Sequence, residues 1–383
     1  MIKKMIRLGD VATYINGYAF KPEERGNVGL PIIRIQDLTG NAYDLGYYDG
    51  EYPEKIEINN GDVLISWSAS LGVYIWNRGK ALLNQHIFKV IFDKVDIDKN
   101  YFVYAVHRKL DEMSMKSHGA TMKHIIKKDF DATLIPYPAL NEQIEISDNL
   151  DKVLRIIEMR KRELQSLDSL IKARFVEMFG DPIINSFGIE TKPMTDVCEI
   201  IDGDRGKNYP TADEFSDEGY CLFLNAKNVT STGFNFDTCM FVTKEKDEAL
   251  RKGKLSRGDV VLTTRGTLGN LAFYTKAIPF EHVRINSGMV ILRMKQDVVD
   301  EVYFIEQFKM QLVDIREKIA SGSAQPQLPI STMNKINILI PDIEKQRQFA
   351  DFVKQVDKSK VVVQKALNET QLLFDSLMQK YFG

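Results

Sequence analysis

An α+β fold, laid down twice in tandem and closed each time by a long helix, is what this sequence predicts. The first observation is a repeat. Gly119-Ala120-Thr121 through Pro136-Tyr137-Pro138 recurs as Gly322-Ser323-Ala324 through Ile340-Pro341, displaced by 203 positions from Gly119 to Gly322 and from Pro138 to Pro341. The second is that each copy runs on into a stretch free of Gly and Pro, ending in Phe179-Gly180 and in Phe382-Gly383. A period this long is too large for a solenoid unit and marks two equivalent domains. The third is the mixed pattern inside each copy, short β-branched runs followed by a helical period.

Taken in order, Pro31-Ile32-Ile33-Arg34-Ile35, Val63-Leu64-Ile65-Ser66-Trp67 and His86-Ile87-Phe88-Lys89-Val90-Ile91-Phe92 read as strands, rich in β-branched and aromatic residues. Gly-containing turns separate them. Asn100 to Met115 and Glu301 to Ile319 read as helices. The scaffold repeats while the residues between change. Asp10-Val11 with Asn16-Gly17 matches Asp196-Val197 with Asp202-Gly203. Asn60-Gly61-Asp62-Val63-Leu64-Ile65 matches Arg257-Gly258-Asp259-Val260-Val261-Leu262, and both continue to a Leu-Gly pair, Leu71-Gly72 and Leu268-Gly269. Tyr101-Phe102-Val103 matches Tyr303-Phe304-Ile305. The displacement grows from 186 at Asp10 to 203, so the second copy carries insertions in its loops. The boundaries this implies are domains over 1–140 and 181–343, with long helices over 141–180 and 344–383.

The helices carry a heptad seam. Ile146, Leu150, Val153, Ile157, Arg160, Leu164, Leu167, Ile171, Arg174 and Met178 step by alternating four and three. Phe349, Val353, Val356, Lys360, Val363, Leu367, Thr370, Phe374, Leu377 and Tyr381 do the same in the second copy. Apolar residues sustained at this spacing are a coiled-coil signature. Gly180-Asp181-Pro182 supplies a stop. An intramolecular antiparallel coiled coil is the simplest burial of both seams; an ordinary dimer is the alternative. About 38 helical residues make a rod of about 57 Å, a spacer between two like domains.

At 383 residues there is chain enough for two ordinary cores. No apolar run approaches the ~18 residues of a membrane span. The start, Met1-Ile2-Lys3-Lys4-Met5-Ile6-Arg7, lacks the features of a signal peptide, and a cytoplasmic location is expected. Cys198, Cys221 and Cys239 lie in the second half with no CxxC spacing, and the five His form no HxxxH or HExxH, so neither disulfides nor a metal are expected. The net charge of −2 speaks against an all-over basic nucleic-acid binder but leaves room for a basic face.

Gly61-Asp62-Val63-Leu64-Ile65, Gly322-Ser323-Ala324-Gln325-Pro326-Gln327 and Phe179-Gly180-Asp181-Pro182, in this order and duplication, resemble the specificity subunit of type I restriction–modification systems over the whole chain. The resemblance implies two target-recognition domains, each reading one half of a split sequence in double-stranded DNA. It implies spacer helices that set the half-site separation and dock two methyltransferase subunits. Those partners bring S-adenosylmethionine and methylate adenine at N6; motor-nuclease subunits use ATP, with Mg, to translocate and cut. No cofactor is expected on this chain. The rod length places half-site centres within about 17 base pairs at ~3.4 Å per step. Two dissimilar readers on one frame predict an asymmetric site.

Base reading needs polar side chains with fixed forks. Three places share a frame but differ in display: Ser66-Trp67-Ser68 against Thr263-Thr264-Arg265, Asn84-Gln85-His86 against Asn286-Ser287-Gly288, and Thr121-Met122-Lys123-His124 against Ala324-Gln325-Pro326-Gln327. A solvated turn explains Ser, Thr and Asn there equally. Tyr18 and Lys21, with Arg205 and Lys207, are further phosphate or base candidates, and Lys116, Lys123, Lys127 and Lys128 form a local basic patch. Trp67 and Trp76 are stacking candidates with a core role as the competing reading. Arg160, Arg174, Lys360 and Thr370 interrupt the seam, to set register or to face a partner.

No catalytic role is expected. There is no amine-methylation Asn/Asp-Pro-Pro-Tyr/Phe, no GxxxxGK[ST] and no nucleophile elbow. Pro341-Asp342 with Glu344-Lys345 is too tightly spaced for a nuclease site. Two alternatives stay open: a specificity subunit for a fused restriction–methylation enzyme, and a two-headed coiled-coil scaffold that binds proteins.

Overall fold

A computed structural model describes residues 4–41, 44–116, 125–320 and 327–383. The chain divides into two compact units, residues 1–161 with 365–383, and residues 162–364. Each long helix therefore contributes to both.

In the first unit the strand Val63–Ser66 lies between Ile87–Ile91 and Gly72–Ile75, and Thr13–Asn16 closes the far edge of an antiparallel sheet. The second unit repeats this order with Val260–Thr263, Met289–Met294, Leu271–Phe273 and Cys198–Asp202. The repeated Gly-Asp pair has one physical cause. Gly61 and Gly258 sit at φ +90° and +97°, where a Cβ is strained. Asp62 and Asp259 then accept the backbone N–H three residues back, from Asn59 (2.8 Å) and Ser256 (2.7 Å). Each carboxylate also meets a cation on the neighbouring strand, Lys89 at 3.0 Å and Arg293 at 2.9 Å.

A second sheet in each unit contains one parallel pair, Leu30–Ile33 beside Ala81–Leu83 and Cys221–Leu224 beside Val283–Ile285. Here the sequence reading overran: Arg34 and Ile35 are not strand. The Asp37 carboxylate accepts the Arg34 N–H at 2.8 Å and starts a helical turn, Ile35–Thr39. The single helices run Lys99–Lys116 and Glu301–Ala320.

The long helices span Leu140–Phe179 and Ile343–Phe382. Gln143 and Gln346, both fully buried, fix their starts alike. Each amide donates to the carbonyl of the preceding proline, Pro138 or Pro341, and accepts the N–H of Asp98 or Asp300 at 3.0 Å. Gly180, at φ +75°, ends the first helix by donating to the Val176 carbonyl.

In the first unit Leu150 and Leu154 share a core cluster with Phe374, Met378 and Phe382, and the Arg160 guanidinium donates to the Ala366 carbonyl and Thr370 hydroxyl. In the second, Phe175 packs on Phe349 at 5.4 Å and Lys360 pairs with Asp168 at 2.7 Å. Advancing along one helix means receding along the other, so the pairing is antiparallel. The seam residues Leu150, Val153, Ile157, Leu164, Leu167, Ile171, Val353, Val356, Val363, Leu367, Phe374 and Leu377 are buried or half-buried.

At the last two turns the buried face departs from the heptad reading. Ile171–Phe175–Phe179 and Phe374–Met378–Phe382 face the cores at a spacing of four, while Arg174, Met178, Leu377 and Tyr381 are only half-buried. A straight α-helix drifts from a 3.5-residue repeat, and a globular core rather than a second helix now takes its face. The core of each unit is thus completed by the end of the long helix that begins in the other half of the sequence.

Candidate nucleic-acid interface

In each unit backbone hydrogen bonds join two of the predicted loops to each other and to the residue that follows the third, whose own residues apart from Gln327 lie outside the described ones. In the first, Trp67 N–H donates to the His86 carbonyl (3.2 Å) and Ile125 N–H to the Trp67 carbonyl (3.0 Å). In the second, Thr264 N–H donates to the Gly288 carbonyl (2.8 Å) and Leu328 N–H to the Thr264 carbonyl (3.0 Å), and Arg265 bridges to Gln327. The opening turn presses on the same place. A Cβ at Gly17 would lie 2.0 Å from the Asn84 carbonyl oxygen, and one at Gly203 2.2 Å from that of Asn286, which explains why both copies carry glycine there.

Display differs from residue to residue. Tyr18 is exposed, edge-on to Phe20 at 4.9 Å, and Lys21, Gln85, Arg205, Lys207, Arg265 and Gln327 are exposed too. Ser68 and Asn286 are half-buried; the Asn286 amide oxygen accepts the Gly288 N–H at 2.9 Å. Trp67 stacks on Phe88 at 5.5 Å, contacts His86 at 4.9 Å and donates to Asn16 at 3.3 Å. Trp76 belongs to the core.

Two candidates need correction. Ser66 is fully buried and its hydroxyl donates to the Ser70 carbonyl at 2.6 Å, closing the turn. The Thr264 hydroxyl is likewise turned inward, onto the Gly288 carbonyl at 3.0 Å. Both hydroxyls spend their donor on supporting the loop. Lys127 is occupied as well, pairing with Asp131 at 2.7 Å. Thr121, Lys123, His124 and Gln325 lie outside the described residues, as does Lys116 beyond its backbone.

Asn84 and His86 are unusual. His86 holds φ +71° without being glycine, and Ala69, in the turn between Ser66 and Gly72, holds +58°. The Asn84 Oδ1 and His86 Nδ1 are buried without a hydrogen-bond partner among the described residues. Strain and unsatisfied polar groups of this kind gather at functional sites.

The sequence reading missed a neighbouring segment. Arg34–Gln36 and Asn225–Lys227 follow the strands that pair in parallel with those leading into Asn84 and Asn286, so they emerge beside the candidate loops. Gln36 and Lys227 are exposed. The signal was present in the aligned runs Ile33-Arg34-Ile35-Gln36 and Leu224-Asn225-Ala226-Lys227, where frame persists and side chains change.

Among the described residues no cluster of His, Cys, Asp and Glu is placed to hold a metal. The three cysteines are free; burial raises the Cys198 and Cys221 thiols to about 12. No helix among the described residues is long and apolar enough to cross a membrane.

One loop constellation is carried twice on one frame, and each copy runs on into a long helix, which makes this a duplicated two-domain protein. Residues 3–169 and 188–370 match the family described as Type I restriction modification DNA specificity domain, and the chain belongs to that family. It is 23% identical to the type I restriction enzyme EcoBI specificity subunit of Escherichia coli, covering 98% of this chain and 85% of that one. It is 22% identical to the MjaVIII specificity subunit of Methanocaldococcus jannaschii, over 92% of this chain and 86% of the relative. The fold is shared with the S subunit of a type I system from M. genitalium (TM-score 0.55, 16% identity, 99% and 96% covered). It is also shared with a chain from a structure on complex assembly and conformational transition of the type I system (TM-score 0.59, 15% identity, 99% and 97% covered). Specificity subunits are the non-catalytic components of these systems, and this chain is of that non-catalytic kind.

Proposed function

We propose that the chain reads a bipartite, asymmetric sequence in double-stranded DNA, one half per unit, and presents it to methyltransferase partners. Residues 1–140 and 181–343 are the two target-recognition domains in this reading, with spacer helices over 141–180 and 344–383. The observation that carries it is the loop constellation: the same two backbone hydrogen bonds and the same glycine contact recur, while the displayed residues are Tyr18, Trp67, Gln85 and His86 in one unit and Arg205, Arg265, Asn286 and Gln327 in the other. A shared frame with unlike display is what reading two unlike half-sites requires.

The helix pair supplies the docking surface for two methyltransferase subunits. Met159, Leu372 and Leu373 in the first unit, and Leu170, Val361 and Val362 in the second, are large, apolar and exposed. Solvent-exposed apolar residues gathered on one element mark interaction sites. S-adenosylmethionine belongs to those subunits, and ATP and Mg to the motor-nuclease that completes the restriction complex in the cytoplasm.

The test is co-expression with its cognate methyltransferase subunit in a methylation-free host, followed by genome-wide mapping of N6-methyladenine. A split motif with an adenine methylated in each half is expected. An assembled complex that leaves the genome unmethylated would sink the reading.

A further inference from the structure

A cleft in the second unit joins the candidate interface. It measures about 350 Å³ and is lined by Asp202, Gly203, Asp204, Arg205, Gly206, Arg251 and Lys252. Its floor is Asp204, 4% exposed. That carboxylate accepts the N–H groups of Gly206 (2.6 Å) and Arg251 (2.7 Å), so its charge is spent on pinning the two walls together. Burial alone would raise its pKa, yet these backbone bonds hold it below the usual carboxylate range.

The second wall is fixed from beneath. The buried Arg284 guanidinium donates to the carbonyls of Lys252 (2.7 Å) and Leu250 (3.1 Å), and its Nε meets Asp247 at 2.5 Å. Asn208 ties the first wall across to the Ala249 carbonyl at 2.9 Å. On this rigid base three cations face outward. Arg251 is 76% exposed and only loosely paired with Asp204, at 3.8 Å. Lys252 is exposed and has no acidic partner among the described residues. Arg205 is steered by Asp202 (3.1 Å) and by the Ser287 carbonyl (3.2 Å), which places it at the edge of the Asn286–Gly288 loop. The matching stretch of the first unit reads Tyr18-Ala19-Phe20, aromatic instead of cationic.

We propose that this cleft is a phosphate-binding site, and that it takes a backbone phosphodiester of the DNA flanking the half-site read by the second unit. The inference rests on the DNA-reading function proposed above. Exposed Arg and Lys heads around a concave floor, with no aromatic face to stack a base, suit a phosphate oxyanion. Such a contact positions the unit on the duplex and carries no sequence information.

The experiment uses the full chain assembled with its methyltransferase, comparing the wild type with Arg251→Ala/Lys252→Ala and with the charge-keeping Arg251→Lys/Lys252→Arg. Duplex affinity is measured over a range of KCl, and the methylated motif is mapped for each. The alanine pair should lower the slope of log affinity against log salt by about 1, weaken all duplexes alike and leave the motif intact, and the charge-keeping pair should restore the slope. Both side chains are exposed, so folding is retained. A wild-type slope in the alanine pair, or a changed second half-motif, would overturn the proposal. Calorimetric titration with inorganic phosphate separates the source: tight binding lost in the alanine pair, with an unchanged DNA slope, would assign the cleft to a free phosphate ligand instead. Failure of the DNA reading itself looks different, because the wild-type complex would then show no salt-sensitive binding at all.

Discussion

The two units share a frame and differ in what holds their loops from below. Under the first unit's parallel strand pair lies an apolar cluster of Phe20, Ile32, Ile56 and Leu82. At the place of Leu82 the second unit has Arg284, buried with Asp247 and joined by Lys254 at 2.5 Å. Backbone geometry is what the copies conserve, in Gly61 and Gly258, Gln143 and Gln346, Gly17 and Gly203. The second unit keeps an apolar cluster there, Cys221, Phe223, Val242 and Leu250, and adds an ion-paired clamp beside it. Two unlike supports give two unlike surfaces, and the cationic cleft of the second unit exists because its clamp holds the 250–252 segment in place.

The sharpest break in this comparison is Arg284→Leu, which gives the second unit the first unit's residue. It strands Asp247 with Lys254 alone and frees the carbonyls of Leu250 and Lys252. Removing one partner of a buried pair costs about 3–5 kcal/mol, whereas replacing the whole pair with apolar residues costs far less. Arg284→Leu should therefore destabilise the second unit severely, and Arg284→Leu/Asp247→Leu should recover much of the loss. The sequence supplies separate reporters: both tryptophans, Trp67 and Trp76, lie in the first unit, and all three cysteines in the second. Thiol exposure should shift to lower denaturant while the tryptophan transition stays. A shift of the tryptophan transition instead would mean that the clamp is not local.

How much of this was legible beforehand follows from which partners are close in sequence. The duplication and the long helices showed because each copy spells them locally, in Gly-Asp-Val runs and heptad spacing. The clamp did not show, since Asp247 and Arg284 are 37 residues apart and only the fold makes them neighbours. The inward turn of the Ser66 and Thr264 hydroxyls did not show for a smaller reason: a strand-end hydroxyl reads the same whether it faces solvent or closes its own turn. The shift of the buried face in the last turns did not show because Phe175 and Met378 answer to a globular core that a heptad template does not contain.

A milder test asks whether the frame is equal in both copies. Gln143→Ala and Gln346→Ala each orphan a half-buried N–H, of Asp98 or Asp300, and a half-buried proline carbonyl. Leaving such groups unsatisfied costs about 1–3 kcal/mol. The two variants should lose stability to the same extent, Gln143→Ala in the tryptophan transition and Gln346→Ala in thiol exposure. Unequal losses beyond error would show that the helix starts are not equivalent, whatever their geometry.

Acid gives the subtlest separation. In the second unit the carboxyls of Asp204, Glu214, Glu245 and Asp247 are all held below their ordinary range; in the first, Glu57 is, by Lys80 above all. For Asp247, burial pushes the pKa up, and the hydrogen bonds and charges of Lys254 and Arg284 more than reverse it. A carboxylate whose folded pKa is depressed adds stability that is complete above its unfolded value, about 4, and that is lost as pH falls through the folded one. The second unit holds more of these groups, and one of them is the fully buried anchor of its clamp. Between pH 7 and pH 5 the two units should therefore keep their relative stabilities, and below about pH 4 the second should weaken first. Pulse labelling with an acid-tolerant dithiodipyridine should find Cys198 and Cys221 reactive at a pH where tryptophan emission is still native. Arg284→Leu/Asp247→Leu, lacking that anchor, should narrow the gap. Tryptophan change preceding thiol exposure would place the acid-labile support in the first unit and reverse the comparison.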